Sequence, residues 1–323
     1  MNAKKANWAF LFMILSYLGV SVLAAFLLPS AVDNILVSNL LIEVSVFIPI
    51  LIPMLFSGEK ITDFLAFHRI KPGTVLMIGL YAFLTNPLQT LFNVISQFWV
   101  ENEVVSIIDD YQIANMPLFP LWLSIGVIAP VFEEVICRGA VYRSYRRSGS
   151  AFKAMILSAV VFACLHMNFN QAAYTMVMGV LAVLLVEATG SLWASIIYHG
   201  LINGTSCLTM YLSLKIVPDI LDTLDMLDPQ MWSKFLLFEV GKELILAAAF
   251  TPFAFAVLVW IEKHEGREGT LEAIWRDRKW TPEPYLNKKG KMKKDKLITV
   301  PLVLTLILCL LVMIGMSYYL EQL

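Results

Sequence analysis

Apolar residues run along this chain in long blocks, not in the alternation of a strand or the narrow stripe of a soluble helix. Windows of about 20 apolar residues, the length that crosses about 30 Å of hydrocarbon, fall near 7–28, 37–57, 73–99, 117–141, 153–168, 171–188, 190–214, 236–261 and 298–319. They predict an all-α fold, a polytopic helical bundle integral to a membrane, with about nine transmembrane helices. The fifth window is short and runs into the sixth across "MNFNQ" (167–171). The first follows Lys4 and Lys5 and outlasts the apolar core of a signal peptide, so it is expected to stay as an anchor.

Composition agrees. Hydrophobic residues make up 59% of the 323 and charged residues 15%, where a soluble domain sits near half apolar and a quarter charged. The lipid bilayer is therefore the expected surrounding, and no Gly-rich phosphate loop, internal repeat or nucleic-acid signature appears. The four cysteines (Cys137, Cys164, Cys207, Cys309) all fall inside apolar windows without CxxC spacing, as buried small hydrophobes do.

Charge orders the connecting segments. Lys4 and Lys5, then Lys60, Arg69 and Lys71, then Arg143, Arg146, Arg147 and Lys153, then the basic stretch 262–297 fall on one side of the bundle. The acidic segments 101–116 and 218–234 fall on the other. Positive charge marks the cytoplasmic side, so the N-terminus is expected in the cytoplasm and the C-terminus outside. "EVVSIIDDYQI" (103–113) and "ILDTLDMLD" (220–228) have the pattern of helices lying at the outer interface. "NKKGKMKKDK" (287–296) suits anionic lipid on the inner face.

Against this background the polar residues inside windows stand out. None of the residues 117–132 is charged, yet Glu133, Glu134 and Arg138 follow at once. Each charge costs roughly 2.5–3.5 kcal/mol at a membrane helix centre on insertion scales. Two of the four histidines lie in similar places, in "FACLH" (162–166) and "HGLIN" (199–203). Counted from the cytoplasmic boundaries at 1.5 Å per residue, Glu133, His166, His199 and Asn203 all lie roughly 14–20 Å deep. Three helices thus bring polar groups to one level, which interhelical hydrogen bonding alone does not require.

Helical geometry divides their roles. Glu134 and Arg138 are four apart with Glu first, the favourable order for an ion pair, which would offset burial and brace the helix. Glu133 points about 100° away with no partner in its own helix, free to act as a general base. A His opposite it could hold a water, and the face shared by His199 and Asn203 supplies donors for a developing oxyanion. Phe162 lies one turn below His166 and lines the same site. This is the equipment of acyl hydrolysis by an activated water.

"EEVICR" fits EExxxR, "FACLH" fits FxxxH and "HGLIN" fits HxxxN. In this order they resemble the motifs of the CPBP family of intramembrane proteases, which includes CAAX prenyl endopeptidases and bacteriocin-processing or self-immunity proteins. The resemblance covers about 117–206. It implies an intramembrane endopeptidase in which Glu133 and His166 activate water, His199 and Asn203 form the oxyanion site, and Glu134 and Arg138 hold the frame. It implies a peptide or membrane-anchored protein as substrate, prenylated or not, and a bacterial cell (plasma) membrane as location. Three regions follow: a three-span region 1–116, a CPBP-like catalytic core 117–214, and a two-span region 215–323 with the basic segment 262–297.

No cofactor is expected, because Glu133 already supplies the base. The alternative is a divalent metal such as zinc held by Glu133, His166 and His199, although no HExxH is present. Two other functions remain open. A non-catalytic scaffold or bacteriocin-immunity protein of this fold would tolerate loss of Glu133, and a proton-coupled transporter would be expected to show repeated halves.

Overall fold

The apolar windows become helices in a computed structural model, which describes residues 1–29, 34–100, 102, 113–217, 228–286 and 292–320. The bundle is built from α1 (Ala3–Leu27), α2 (Ile35–Leu55), the short α3 (Ile61–Leu65) and α4 (Pro72–Ser96). These are followed by α5 (Leu118–Ser148), α6 (Ala151–Leu165), α7 (Phe169–Thr189) and α8 (Leu192–Ile216). The long α9 (Pro229–His264), the short α10 (Thr270–Arg276) and α11 (Val300–Leu320) complete it. Two-residue strands, β1 (Tyr285–Leu286) and β2 (Met292–Lys293), pair antiparallel between α10 and α11.

Polar caps start these helices. The side chains of Asn34, Ser150, Asn168, Ser191 and Asp228 each accept a backbone N–H from the first turn that follows, satisfying donors that lipid could not. Outward-facing side chains are apolar: Phe26, Leu76, Phe83, Phe253 and Leu311 are all exposed, as expected where the solvent is hydrocarbon.

Among the described residues seven helices are long and apolar enough to cross a membrane, two fewer than the nine windows. The shortfall has a physical cause in each case. Helix α6 has 15 residues, a rise of about 22 Å, because the chain turns at His166 and re-enters as α7. Helix α8 is long enough at 25 residues, but the polar residues it carries keep it out of that set. The interfacial segments 103–112 and 220–227, and 287–291 of the lysine-rich stretch, lie outside the described residues.

One end of the bundle is tied together by polar contacts. Ala3 N donates to Ser148 Oγ at 3.0 Å, and Asn7 Nδ2 donates to Leu297 O and Thr299 Oγ1, both at 2.8 Å. Arg147 forks onto Glu59 at 2.5 and 2.7 Å and holds that carboxyl below the usual carboxylate range. Ser150 Oγ donates to Arg278 O, and Arg267 Nε to Glu187 O, both at 2.9 Å. The start of α1, the end of α5, the segment after α9 and the start of α11 therefore share this end.

The centre of the bundle is α5, which touches α1, α2, α6, α7 and α8. Its crossing with α8 is made by glycines. A Cβ on Gly126 would fall 2.9 Å from Gly204 Cα, and one on Gly200 would fall 2.9 Å from the Gly126 carbonyl oxygen. Backbones approach this closely only where side chains are absent. Trp122 Nε1 closes the crossing by donating to Gly204 O at 3.1 Å.

Candidate active site

Helix α5 is not a uniform α-helix. Residues 124–128 and 135–142 are wound as π-helix on either side of the α-helical turn 129–134. Such widened turns are uncommon and gather at functional sites. The first lies at the glycine crossing with α8, and the second begins just after Glu134, so both carboxylates sit on the regular turn between them.

The expected ion pair is present. Arg138 Nη1 donates to Glu134 Oε1 at 2.6 Å, with both side chains essentially unexposed. The same oxygen has a second partner, His199 Nδ1 at 2.9 Å. A carboxylate can only accept there, so Nδ1 carries the proton and the ring is fixed. Its other nitrogen, Nε2, then faces Glu133 Oε2 at 3.6 Å. Glu133 is the more open carboxylate, 19% exposed against 0% for Glu134. The twin glutamates are thus distinct: Glu134 is sealed and paired, whereas Glu133 fronts the site.

His166 sits at the C-terminal end of α6, where its Nδ1 lies 2.9 Å from Phe162 O. This orients the ring without using Nε2. The next residue, Met167, has φ +56°, a left-handed conformation unusual for a side chain of that size. That turn, followed by the Asn168 cap on α7, holds His166 at the tip of a hairpin inside the bundle. His166 lies within electrostatic reach of Glu133, His199 and Arg138.

Phe162 packs among these groups. Its ring meets the His166 ring edge-on at 4.9 Å and the His199 ring at 5.7 Å, and the Arg138 guanidinium lies over its face at 4.2 Å. Asn203 is one turn beyond His199 on α8. Its amide turns to the Ile125 carbonyl at 3.5 Å rather than to Glu133 or His166. The fold therefore gathers Glu133, Glu134, Arg138, Phe162, His166 and His199, with Asn203 at the margin, against the π-wound part of α5.

Further residues lie around the site. Glu43 of α2 is buried, on the face of α2 whose Phe47 ring meets Phe132 of α5, and Tyr174 lies on α7. Tyr198, next to His199, shares a 3.0 Å hydrogen bond with Thr85 Oγ1 and accepts from Gln89 Nε2 at 3.1 Å, which locks α8 onto α4. Glu43 leaves a signal in the sequence as a lone carboxylate in an apolar helix; Tyr174 and the Tyr198 contacts depend on helix packing. Among the described residues no group of three or more His, Cys, Asp or Glu side chains is arranged to hold a metal ion. No step below is routed through a metal.

Residues 115–205 match the family model for Rce1-like proteins, described as type II CAAX prenyl endopeptidase Rce1-like. Over these residues the chain is similar to CAAX proteases. The match takes in all three motif clusters and ends just past Asn203, leaving α1, α2, α4, α9 and α11 outside it. No curated protein and no solved structure matches the chain. The family so matched is one of peptidases.

Proposed function

We propose that the protein is an intramembrane endopeptidase that hydrolyses a peptide bond with water activated by Glu133 and His166. The observation that carries this is the division of labour at the paired glutamates. Glu134 neutralises Arg138 and orients His199, while Glu133 faces His199 Nε2 at 3.6 Å and makes no ion pair with Arg138. The peptidase family of the segment supports the reaction class.

In this reaction Glu133 takes a proton from a water held between it and His166, and the water oxygen adds to the scissile carbonyl carbon. Charge builds on the carbonyl oxygen, where Asn203 Nδ2 and His199 Nε2 are the donors at hand. Donation from His199 Nε2 requires that nitrogen to carry a proton as well, since Nδ1 already donates to Glu134. The C–N bond then breaks, the proton on Glu133 passes to the leaving amine, and a new carboxyl terminus remains. The groups act in a poorly solvated site, where fixed dipoles and charges count for more than in water.

The substrate is a membrane-associated peptide or protein tail, and the family description favours a prenylated one. The experiment uses purified full-length protein and an internally quenched peptide ending in a Cys-aliphatic-aliphatic-X sequence, with and without a prenyl group. Cleavage of the prenylated form, unchanged by a strong chelator, is the expected result. Loss of cleavage under chelation, restored by zinc, would replace the metal-free mechanism with a metal-dependent one. No cleavage of any peptide, with cellular function preserved in Glu133→Gln, would favour the scaffold or bacteriocin-immunity role.

A further inference from the structure

Helix α4 carries a polar stripe. Tyr81, Thr85, Gln89, Asn93 and Ser96 follow one another at steps of four, four, four and three, so they share one face of the helix. Thr85, Gln89 and Ser96 are buried and Asn93 is half-buried. The stripe makes two separate anchors. Thr85 Oγ1 and Gln89 Nε2 lie 3.0 and 3.1 Å from the Tyr198 hydroxyl of α8, and the Tyr81 and Tyr198 rings are 5.4 Å apart. Farther along α4, Asn93 Oδ1 and Ser96 Oγ accept from Asn170 Nδ2 of α7 at 2.8 and 2.9 Å. Among the described residues, the side-chain hydrogen bonds that Thr85, Gln89, Asn93 and Ser96 make to another helix all go to Tyr198 or Asn170.

Each anchor lands beside one of the two site histidines. Tyr198 directly precedes His199 on α8. Asn170 is in the first turn of α7, whose cap residue Asn168 donates to the His166 carbonyl at 3.2 Å. The anchors are about 11 Å apart along α4, at 1.5 Å per residue, so one helix spaces both histidine-bearing elements. The histidines need such a reference. The Nδ1 contact with Phe162 O orients the His166 ring within its own helix, and the Phe162 ring stands edge-on to both histidine rings. Ring contacts hold over centroid distances of about 4.5–7 Å, whereas a hydrogen bond confines its partners to within a few tenths of an ångström. The anchors are also not arranged for stability alone. Gln89 Oε1 and Asn170 Oδ1 are buried without a partner among the described residues, a cost that plain interhelical glue has no reason to carry.

We propose that the polar face of α4 sets the spacing of the two histidines. Tyr198, held by Thr85 and Gln89, is the positioning residue for His199; Asn170, held by Asn93 and Ser96, is the positioning residue for the hairpin that carries His166. This rests on the roles given to His166 and His199 above. It makes α4, which lies outside the matched segment, part of the working site.

The test uses Tyr198→Phe and Asn170→Leu in the full-length protein with the prenylated quenched peptide. Each substitution removes one anchor and nearly keeps the volume of the side chain. In both, kcat should fall by about tenfold or more, toward the hundredfold expected when a reacting group is misplaced by about 1 Å, with KM little changed. Combining Tyr198→Phe with Gln89→Met replaces both partners by apolar groups of similar shape, so melting in detergent should return to parental. The kcat of this double variant should stay as low as that of Tyr198→Phe. Recovery of kcat together with melting would reduce the anchor to packing and overturn the proposal, as would parental kcat in either single variant.

A second measurement does not depend on turnover. The chain has four histidines, few enough for NMR of protein labelled at the histidine ring nitrogens to follow each one. Tyr198→Phe should shift the His199 signals, including the Nδ1 proton bonded to Glu134, and Asn170→Leu should shift those of His166. Parental signals at the matching histidine in either variant overturn the proposal even if the peptide is cleaved. If no peptide is cleaved, the proposed function fails separately and the spectra still decide whether the anchors position the histidines.

Discussion

His199 donates from Nδ1 to Glu134 Oε1 at 2.9 Å, on the same oxygen that receives Arg138 at 2.6 Å. One carboxylate therefore serves both the brace of α5 and the orientation of a histidine on α8. Replacing it removes the one anion that pairs with the buried Arg138 among the described residues. Glu134→Gln should destabilise the protein by about 3–5 kcal/mol, as expected when one partner of a buried pair is lost. Thermal melting in detergent checks this, and parental melting would show that Arg138 has another counter-ion.

Asn203 can donate but cannot serve as a base at neutral pH. If it acts on the developing oxyanion, Asn203→Ala should lower kcat by about a hundredfold or more and leave KM nearly unchanged. The weak 3.5 Å contact with Ile125 O leaves its amide free to turn to a substrate. Steady-state kinetics separates the cases: a raised KM with unchanged kcat would make Asn203 a substrate-binding group instead.

The glycine crossing offers a test of how the site is assembled. Any side chain at Gly126 meets the α8 backbone at Gly204, where even a Cβ would sit 2.9 Å from Cα. Backbone cannot yield as a flexible side chain can, so Gly126→Val should push α8 away from α5. The expected stability loss is about 1–3 kcal/mol, typical of overpacking, together with a fall in kcat as His199 moves off Glu133. Parental kcat in a destabilised Gly126→Val protein would disconnect the crossing from the chemistry.

The start of α1 and the segment after α9 share one end of the bundle, and α11 begins there and runs away from it. Taken with the basic residues at that end, this predicts that a reporter inserted near Gly269 reads as cytoplasmic and one fused after Leu323 as external. Two cytoplasmic readings would mean that one helix, α6 or α8 first, does not cross.

What the sequence made legible was local. The i, i+4 pair of Glu134 and Arg138, the facing of Phe162 and His166, and the separate direction of Glu133 all follow from helical spacing. What it hid was tertiary. The bond from His199 to Glu134 joins residues 65 apart in sequence and depends on Gly126, Gly200 and Gly204 admitting two backbones. The π-wound turns of α5 carry no obvious compositional mark, and the left-handed turn at Met167 that ends α6 at His166 is not marked by a glycine or proline. Glu43 is visible as the one charged residue between Asp33 and Glu59, but it has no partner within α2, so nothing in its own helix points to α5.

The central claim is that Glu133 is the base and Glu134 the frame. Glu133→Gln keeps shape and hydrogen bonding but removes the proton acceptor, and Glu133 makes no ion pair with Arg138 that the fold would lose. The decisive measurement is the turnover of purified Glu133→Gln on a peptide the parent cleaves, read beside its melting temperature. The expected result is loss of general-base catalysis, a drop of about a hundredfold or more, with melting near parental. Parental turnover in a folded Glu133→Gln protein would contradict the assignment.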